Sequence, residues 1–587
     1  MGFRTGASIV GAFGLICTDI MTGYVMRVLS TYLTDAWGLN FTHSAAIVNM
    51  WEGLAKMLPL AIALISSLFP NPLLVPILCT ISYAIGWILM TLSTPPLLAR
   101  STGTCSDYQP DCIGHTQKVL FYIGFPMVTV GMSSIVVLVA FIFGDDKEDD
   151  DESREMIGGD IASHPLLGFP NYIINIALSY IKPWSARFAI PSFFSVISVS
   201  LFLLVPYKEK GEMLSDGIDG LAKESPLTRA MRVLVASVSK LRHKLDDQTR
   251  LHEQGNRRTS LPRTRGLRFL DKAAIIVAGK SPEEQEKHKW TLCTITDVEK
   301  TKLAIRMAPL IPSIILCGVI ISIGNTYFIE QANNLNPKIG KWKTSTSYLL
   351  AAYDSTKQSM VAFTFLFQLA SPRSGICTAM FLSVLCCITA AKVERRRLHV
   401  IARHGLIDKP DQRIPMSMYW MLPQFILLAM VDSLLEANVK SFIIRRYKKA
   451  SRLLYPLLFA RAITGAGILG GILSVHLAGK FSKRVGRKVN WFQETLNRSR
   501  MDHYYWALAV LCAANFVLFL ALSFYFKCRS GREYKIEGTS HKKESENQSR
   551  DIGGEDEEKP ETMETVAEAA AEFIEVVAEA EADGDDD

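Results

Sequence analysis

The apolar residues of this chain come in blocks long enough to cross a bilayer, and that leaves few folds open. NPLLVPILCTISYAIGWILMTLS (71–93), MAPLIPSIILCGVIISIGNTYF (307–328) and YWALAVLCAANFVLFLALSFYF (505–526) are three of them. A stretch of about 20 apolar residues spans the hydrocarbon core as a helix, which satisfies its own backbone polar groups where no water can. Twelve candidates occur, at 8–33, 43–68, 72–94, 117–143, 164–182, 185–206, 306–328, 345–370, 374–393, 416–441, 452–476 and 503–526, of which the fifth and eighth are the weakest. The expectation is an all-α polytopic membrane protein. The first block begins near Met1 without a small-residue cleavage site, so it reads as a retained span and not as a signal peptide. MGFRTG lacks Ser or Thr at position six, which argues against myristoylation.

The spans divide six and six around a polar segment. This predicts an N-terminal bundle (1–206), a central loop (207–305), a C-terminal bundle (306–530) and an acidic tail (531–587). Residues 207–300 hold 19 Lys plus Arg against 14 Asp plus Glu, which favours the cytoplasmic side for this loop. IIRRYKKASR (443–452) falls on the same side, whereas VERRRLHVIARHG and GKFSKRVGRK fall opposite and run against the charge rule. The run GDDKEDDDESRE (144–155) lacks the spacing of a calcium loop and reads as a solvated charge run. The tail 551–587 carries 16 acidic residues against one Lys, with Met563, Val566, Ala570, Phe573 and Val577 recurring at helical spacing. It is either a solvated tail or a segment that docks on the basic central loop.

Of the eleven cysteines, Cys105 and Cys112 share the loop after the third span, on the side where a disulfide is permitted. A disulfide and two free thiols both stay open for them. No Cys pair has metal spacing, and no hydrolase elbow, P-loop, zinc helix or dinucleotide fingerprint stands in a credible context. Neither an enzyme, a cofactor nor a nucleic-acid partner is expected; the bilayer is the partner the apolar blocks require, and any energy coupling would draw on an ion gradient. Charges inside the spans are the remaining chemistry, because a charge in lipid is costly unless it faces a cavity or a partner. Asp19 and Arg27 lie in the first span, Glu330 at the end of the seventh, and Asp432, Glu436 and Lys440 in the tenth. Glu52 and Lys56 stand four apart in the second span, Glu first, the favourable order for a pair along one helix. Each is a coupling group, a structural ion pair or, for Glu330 and Lys440 near span ends, a snorkelling side chain. Pro59, Pro126 and Pro423 are candidate kinks, and the small residues of AITGAGILGGILS (462–474) suit close helix packing.

RFLDKAAI (268–275), WTLCTITDVEKTKLAIRMAPL (290–310), AAKVERRRL (390–398), PMSMYWMLPQF (415–425) and WFQETLNRSRMDHYYWALAVL (491–511), in this order, closely resemble the plant nitrate and peptide transporter family. That family belongs to the proton-coupled oligopeptide transporters of the major facilitator superfamily. The resemblance runs from about 10 to 528 and implies a twelve-helix fold of two six-helix bundles. It also implies a cytoplasmic N-terminus and central loop, and alternating access to a cavity between the halves. It departs at the positions to which the family would assign coupling and charge recognition. The first-span ExxER motif falls on Leu15, Ile16, Cys17, Thr18 and Asp19; the fourth-span lysine position holds Val137 and the tenth-span glutamate position Ser441. Asp19 therefore replaces an arginine with the opposite charge, while Glu52 and Lys56 stand where the pattern shows uncharged residues. The expectation is a secondary transporter of nitrate, a di- or tripeptide or a plant metabolite, in the plasma or vacuolar membrane. Either its proton-coupling set has moved to Asp19, Arg27, Glu52 and Lys56, or these are static ion pairs and the protein is a uniporter. A non-transporting relative acting as a sensor or scaffold is the alternative.

Overall fold

The structure is a computed structural model. It describes residues 2–103, 105–143, 165–204, 226–243, 252, 264, 266–277, 290–339, 341–410, 412–446, 454–484 and 490–548. The acidic run at 144–155, the tail at 551–587 and much of the central loop, with the docking expected between the last two, lie outside the described residues. Residues 1–525 form one compact unit, and 526–587 another.

Long helices dominate the first unit. In the first half they are α1 (Gly2–Arg27), α2 (Leu29–Asp35), α3 (Phe41–Ser66), α4 (Leu74–Leu92), the short α5 (Pro95–Thr102), α6 (His115–Phe143), α7 (Pro165–Tyr180) and α8 (Trp184–Leu204). Then follow α9 (Pro226–Ser239) and α10 (Ile295–Met307). The second half holds α11 (Ile311–Ile323), α12 (Ile329–Asn333), α13 (Ser347–Ala370), α14 (Pro372–Arg403), α15 (Leu422–Arg446), α16 (Leu454–Ser482) and α17 (Met501–Gln548). Ten stretches among the described residues are long and apolar enough to cross a membrane, and α7 and α13 complete the twelve crossings. α7 has 16 residues, which explains its weak sequence signal.

Local chemistry sets the boundaries. The Asn40 side chain accepts from His43 N–H at 3.4 Å and caps α3, and the Thr294 hydroxyl accepts from Asp297 N–H at 3.2 Å and caps α10. Ser371 is extended and Pro372 opens α14, where a missing N–H costs nothing. Pro59 and Pro126 sit inside α3 and α6. Pro423 is the second residue of α15, so it starts that helix and does not kink it. Among the described residues the first crossing is interrupted at Val28, between α1 and α2, and the most divided one is the seventh. It runs α10, a 3₁₀ turn (Ala308–Leu310), α11, a π turn (Gly324–Phe328) and α12. π turns recur at functional positions because they push one residue out of the helical register.

The small residues of 462–474 let α16 meet both halves. A Cβ on Gly465 would stand 2.6 Å from the Gly53 carbonyl on α3, and one on Gly467 2.7 Å from Gly318 Cα on α11. Two apolar clusters fill the bundle, and a third sits outside it. There Val233 and Ala236 of α9, Leu270, Ala273 and Ala274 of a 3₁₀ turn, Cys293, and Val298 of α10 pack together. Lys302 Nζ, fully buried, lies 2.6 Å from Asp271 and 2.7 Å from Glu299. The motifs RFLDKAAI and WTLCTITDVEK thus build a small lobe carried on the helix that leads into the seventh crossing.

Since the crossings alternate in direction, the loops 36–40, 93–114, 181–183, 334–346, 404–421 and 483–500 share one end of the bundle, here the distal face. Cys105 and Cys112 are joined there, their Cα atoms 4.8 Å apart. β1 (Leu335–Asn336) pairs in parallel with β4 (Ile414–Ser417), and β2 (Lys338–Ile339) pairs antiparallel with β3 (Trp342–Lys343).

Candidate functional site

The charges of the crossings meet where the two halves face each other, in a ladder descending from the distal face. At 1.5 Å per helical residue, Arg27 and Asp354 lie about 10–12 Å below the distal ends of their helices, Asp432 about 15 Å and Lys56 and Glu436 about 21–23 Å. At the top, Arg27 Nη1 and Nη2 donate to the two oxygens of Asp354 on α13, at 2.7 and 3.1 Å. Asn175 Nδ2 of α7 adds a third bond to Asp354, at 2.9 Å. One rung lower, Asn325 in the π turn donates to both oxygens of Glu52, at 2.8 and 2.9 Å. Asp432 Oδ2 accepts from Lys357 Nζ at 2.6 Å and from the Tyr353 hydroxyl at 2.7 Å. Lys56 Nζ stands 3.5 Å from Asp432 Oδ1 and 3.6 Å from Glu436 Oε2, ion pairs longer than hydrogen bonds. Arg461 Nη1 of α16 reaches Glu436 Oε1 at 3.8 Å. The result is an alternating chain, Lys357, Asp432, Lys56, Glu436, Arg461, with Lys56 its only member from the first half.

This differs from the pairing read along single helices. Glu52 bonds to an amide of the opposite half, and Lys56 to carboxylates of α15. The i, i+4 spacing brings Glu52 within electrostatic reach of Lys56, but the bonds run across the interface. Asp432 and Glu436 likewise share Lys56, while Lys440, four residues on, is 1% exposed within α15 and not at a water interface. Glu330 sits near the distal end of the seventh crossing; its Oε2 is buried without a hydrogen-bond partner, and the like charge of Asp35 is the ionised neighbour that acts on it. Asp19 Oδ1 is also buried without a hydrogen-bond partner, and the cation acting on it through space is Arg461.

The altered positions are packed into the halves. Leu15 and Val137 are buried in the apolar core. Thr18, fully buried, donates to the Gly14 carbonyl at 2.8 Å, and its own carbonyl accepts from the Tyr83 hydroxyl at 3.2 Å. Thr22 bonds to Tyr83 and accepts from Trp87 Nε1, so α1 is tied to α4 by hydroxyls where the resemblance implied charges. Ser441 is fully buried, with no hydrogen-bond partner for its hydroxyl. Asp354, Lys357, Asn325 and Arg461 escaped the sequence reading. Asp354 and Lys357 stand three apart in the least apolar of the long crossings, a legible signal; a lone Asn or Arg carries none.

Neutral contacts cross the same interface. Asn333 Nδ2 donates to Thr31 Oγ1 at 2.9 Å, and the Tyr180 and Tyr348 hydroxyls meet at 3.2 Å. Together these bonds hold the distal end of the two halves together. A buried charge left without its partner costs several kcal/mol, so the ladder separates only if something replaces those partners.

Comparison with known proteins agrees with this architecture. The POT family (PTR2) pattern matches residues 75–352. Protein NRT1/PTR FAMILY 5.5 of Arabidopsis thaliana is 30% identical over 524 residues, covering 86% of this chain and 94% of its own. Protein NRT1/PTR FAMILY 5.4 of the same plant is 25% identical over 550 residues, covering 87% and 92%. The crystal structure of an auto-inhibited POT family peptide transporter superposes with a TM-score of 0.55 at 14% identity, covering 88% of this chain and 96% of that one. The last likeness is one of fold: two six-helix bundles of the major facilitator type.

Proposed function

Because the chain belongs to the NRT1/PTR family of membrane transporters, we propose that it moves a small solute by alternating access and that its ion ladder is the distal gate. The observation that carries this reading is Lys56, a first-half cation held between two second-half carboxylates at 3.5 and 3.6 Å. Rocking one half against the other must break that contact together with Arg27–Asp354 and Glu52–Asn325. Separated halves leave Glu52 without its amide donor, and the polar groups of a solute or water take the freed positions.

Glu52 is the carboxylate of the set best suited to carry a proton. Asp354 and Asp432 each hold a direct cation bond, whereas Glu52 is held only by a neutral amide. A protonated Glu52 needs no counter-charge when the gate opens, and its proton leaves when access alternates. Proton coupling thus runs through Glu52 in the absence of ExxER, and the solute is nitrate, a short peptide or another small metabolite. The activity is transport and not catalysis.

The test is uptake of labelled nitrate and of a mixed dipeptide pool into oocytes, with and without an inward proton gradient. Gradient-driven uptake that Glu52→Gln makes indifferent to the gradient supports the reading. Uptake with unchanged pH dependence in that variant, at normal surface level, removes Glu52 from the coupling. No uptake of any member of either set from confirmed surface protein favours a non-transporting sensor.

A further inference from the structure

The ladder leaves unused a second concentration of charge, on the distal face of the second half. Residues 392–413 carry seven Lys plus Arg against three Asp plus Glu, and residues 483–503 six against two. Both segments include runs that oppose the charge rule for membrane proteins. α14 has 32 residues. At 1.5 Å each it is about 48 Å long, against a hydrocarbon core of about 30 Å. Its last turns, 394–403, therefore stand beyond the apolar block 374–393, on the distal side. There two motifs that the gate does not use, AAKVERRRL and WFQETLNRSRMDHYYWALAVL, close around a cavity of about 650 Å³.

The three consecutive arginines of the first motif, about 100° apart around the helix, go to three places. Arg397, 1% exposed, donates to both oxygens of Glu394 at 2.7 Å and to Asn497 Oδ1 at 3.3 Å. Asn497 Nδ2 in turn donates to the Leu406 carbonyl at 3.0 Å, so this buried knot fixes both loops against the helix end. Arg396 stacks on Trp420, 3.7 Å from the ring centroid. Arg395 is exposed, lines the cavity and has no ion pair among the described residues.

Arg498 and Arg500 of the second motif line the same cavity. Arg500 makes two bonds of 3.0 Å to Asp502, whose side chain is 8% exposed. Arg498 bonds to Asp408 at 2.5 and 3.0 Å, but these side chains are 54% and 72% exposed. An ion pair that open to water holds weakly and gives way to a better anion. Leu398 and Ile401 form an apolar wall, which keeps water from one side of the cations and strengthens what they bind. Each guanidinium offers paired donors that match phosphate oxygens. Chloride and nitrate bring one charge, whereas a phosphate brings up to two and enough oxygens to bridge two guanidiniums. The volume leaves room for the group that carries the phosphate.

We propose that this distal cavity is a phosphate-binding site, in which Arg395 supplies the unpaired cation and Arg498 exchanges Asp408 for the phosphate oxygens. The phosphate belongs to a soluble ion or ester, or to the headgroup of an anionic lipid of the distal leaflet. The site is built from the second half alone, so it lies apart from the interface that forms the gate. Occupied, it ties the loop after α14 to the loop before α17.

The test is thermal stabilisation of the full chain in phosphatidylcholine nanodiscs, titrated with sodium phosphate, with glycerol 3-phosphate and, at equal ionic strength, with sodium chloride. A second set of nanodiscs contains phosphatidylglycerol and no free phosphate. Saturable stabilisation by a soluble phosphate and not by chloride supports the site with a soluble ligand. Stabilisation by phosphatidylglycerol alone supports it with a lipid headgroup. In the arm that responds, Arg395→Gln should weaken binding about tenfold or more, and Arg395→Lys should restore part of it. Asp408→Asn should tighten binding about threefold, because Arg498 starts without a competitor. Lys392, three residues from Arg395 on the same helix, does not line the cavity, so Lys392→Gln should change little. Three results overturn the proposal: no stabilisation beyond that of chloride in either arm, equal losses in Arg395→Gln and Lys392→Gln, which mark a diffuse basic surface, or weaker binding in Asp408→Asn.

Discussion

Replacing Asp354 by Ala breaks the uppermost rung of the ladder, and its effect follows from the bonds lost. Arg27 and Asp354 share two bonds, 2.7 and 3.1 Å, with side chains 17% and 11% exposed. Removing one partner of a fully buried pair costs about 3–5 kcal/mol. Partial exposure lowers this, as does the Gly23 carbonyl, which still accepts from Arg27 Nε at 3.3 Å. A cost of about 2 kcal/mol is reasonable, and at 1.4 kcal/mol per factor of ten it is about 30-fold in an equilibrium constant. The bonds join opposite halves, so the cost falls on the distally closed state, whereas the fold of each half is spared. Spin labels at Asp107 and Lys409, exposed on distal loops of the two halves, report the separation once the native free thiols are replaced. Asp354→Ala should raise the ratio of long to short distances about 30-fold, and adding Arg27→Met should raise it little further, because the bond is already gone. A change below about threefold, or full additivity of the two substitutions, would show that this pair does not hold the gate.

Two further predictions test the packing and the small lobe. Gly465→Ala places a methyl 2.6 Å from the Gly53 carbonyl, whereas Gly470→Ala meets nothing nearer than Val319 at 3.4 Å. The first should therefore lower surface level and thermal stability in nanodiscs by several degrees, an overpacking cost of about 1–3 kcal/mol, and the second should leave both near wild type. In the lobe beside the bundle, burial lowers the Lys240 ammonium to about 8, although its Nζ donates to the Ala273 and Ile275 carbonyls at 3.2 and 2.7 Å. Between that pH and the free-lysine value near 10.4, the unfolded lobe binds a proton that the folded one has released, so its stability rises with pH across this window. Amide exchange of α9, corrected for intrinsic rates, should slow from pH 8 to 10, and Lys240→Met should flatten that slope.

The fold was legible because lipid imposes one rule on every crossing: backbone polar groups must be satisfied within the helix. Twelve apolar blocks record twelve applications of that rule, and the two faint ones are faint for a reason. α7 is short, and α13 carries Asp354 and Lys357, the charges that pair with Arg27 and Asp432. The same rule explains why the site was only half legible. It says that Arg27, Glu52, Lys56, Asp432 and Glu436 need partners, but helical spacing offers partners only on the same helix. Glu52 thus read as the partner of Lys56, when its bonds go to Asn325, 273 residues away in sequence. Cross-half partners follow from topology, which places α3 beside the seventh crossing and α15 opposite it, and no local window contains that information. Arg461 shows the limit most plainly. It stands seven residues into an apolar block, where a lone arginine looks like an end residue snorkelling to water. The structure puts it beside Glu436 and in the field of Asp19. Asp19 itself was visible as a reversed charge, but the cation whose field reaches it, Arg461, is in the other half and outside any local window. Of the residues that separate this chain from its family's pattern, Leu15, Thr18 and Val137 are explained inside their own half, whereas Glu52 and Lys56 take their bonds from the other bundle.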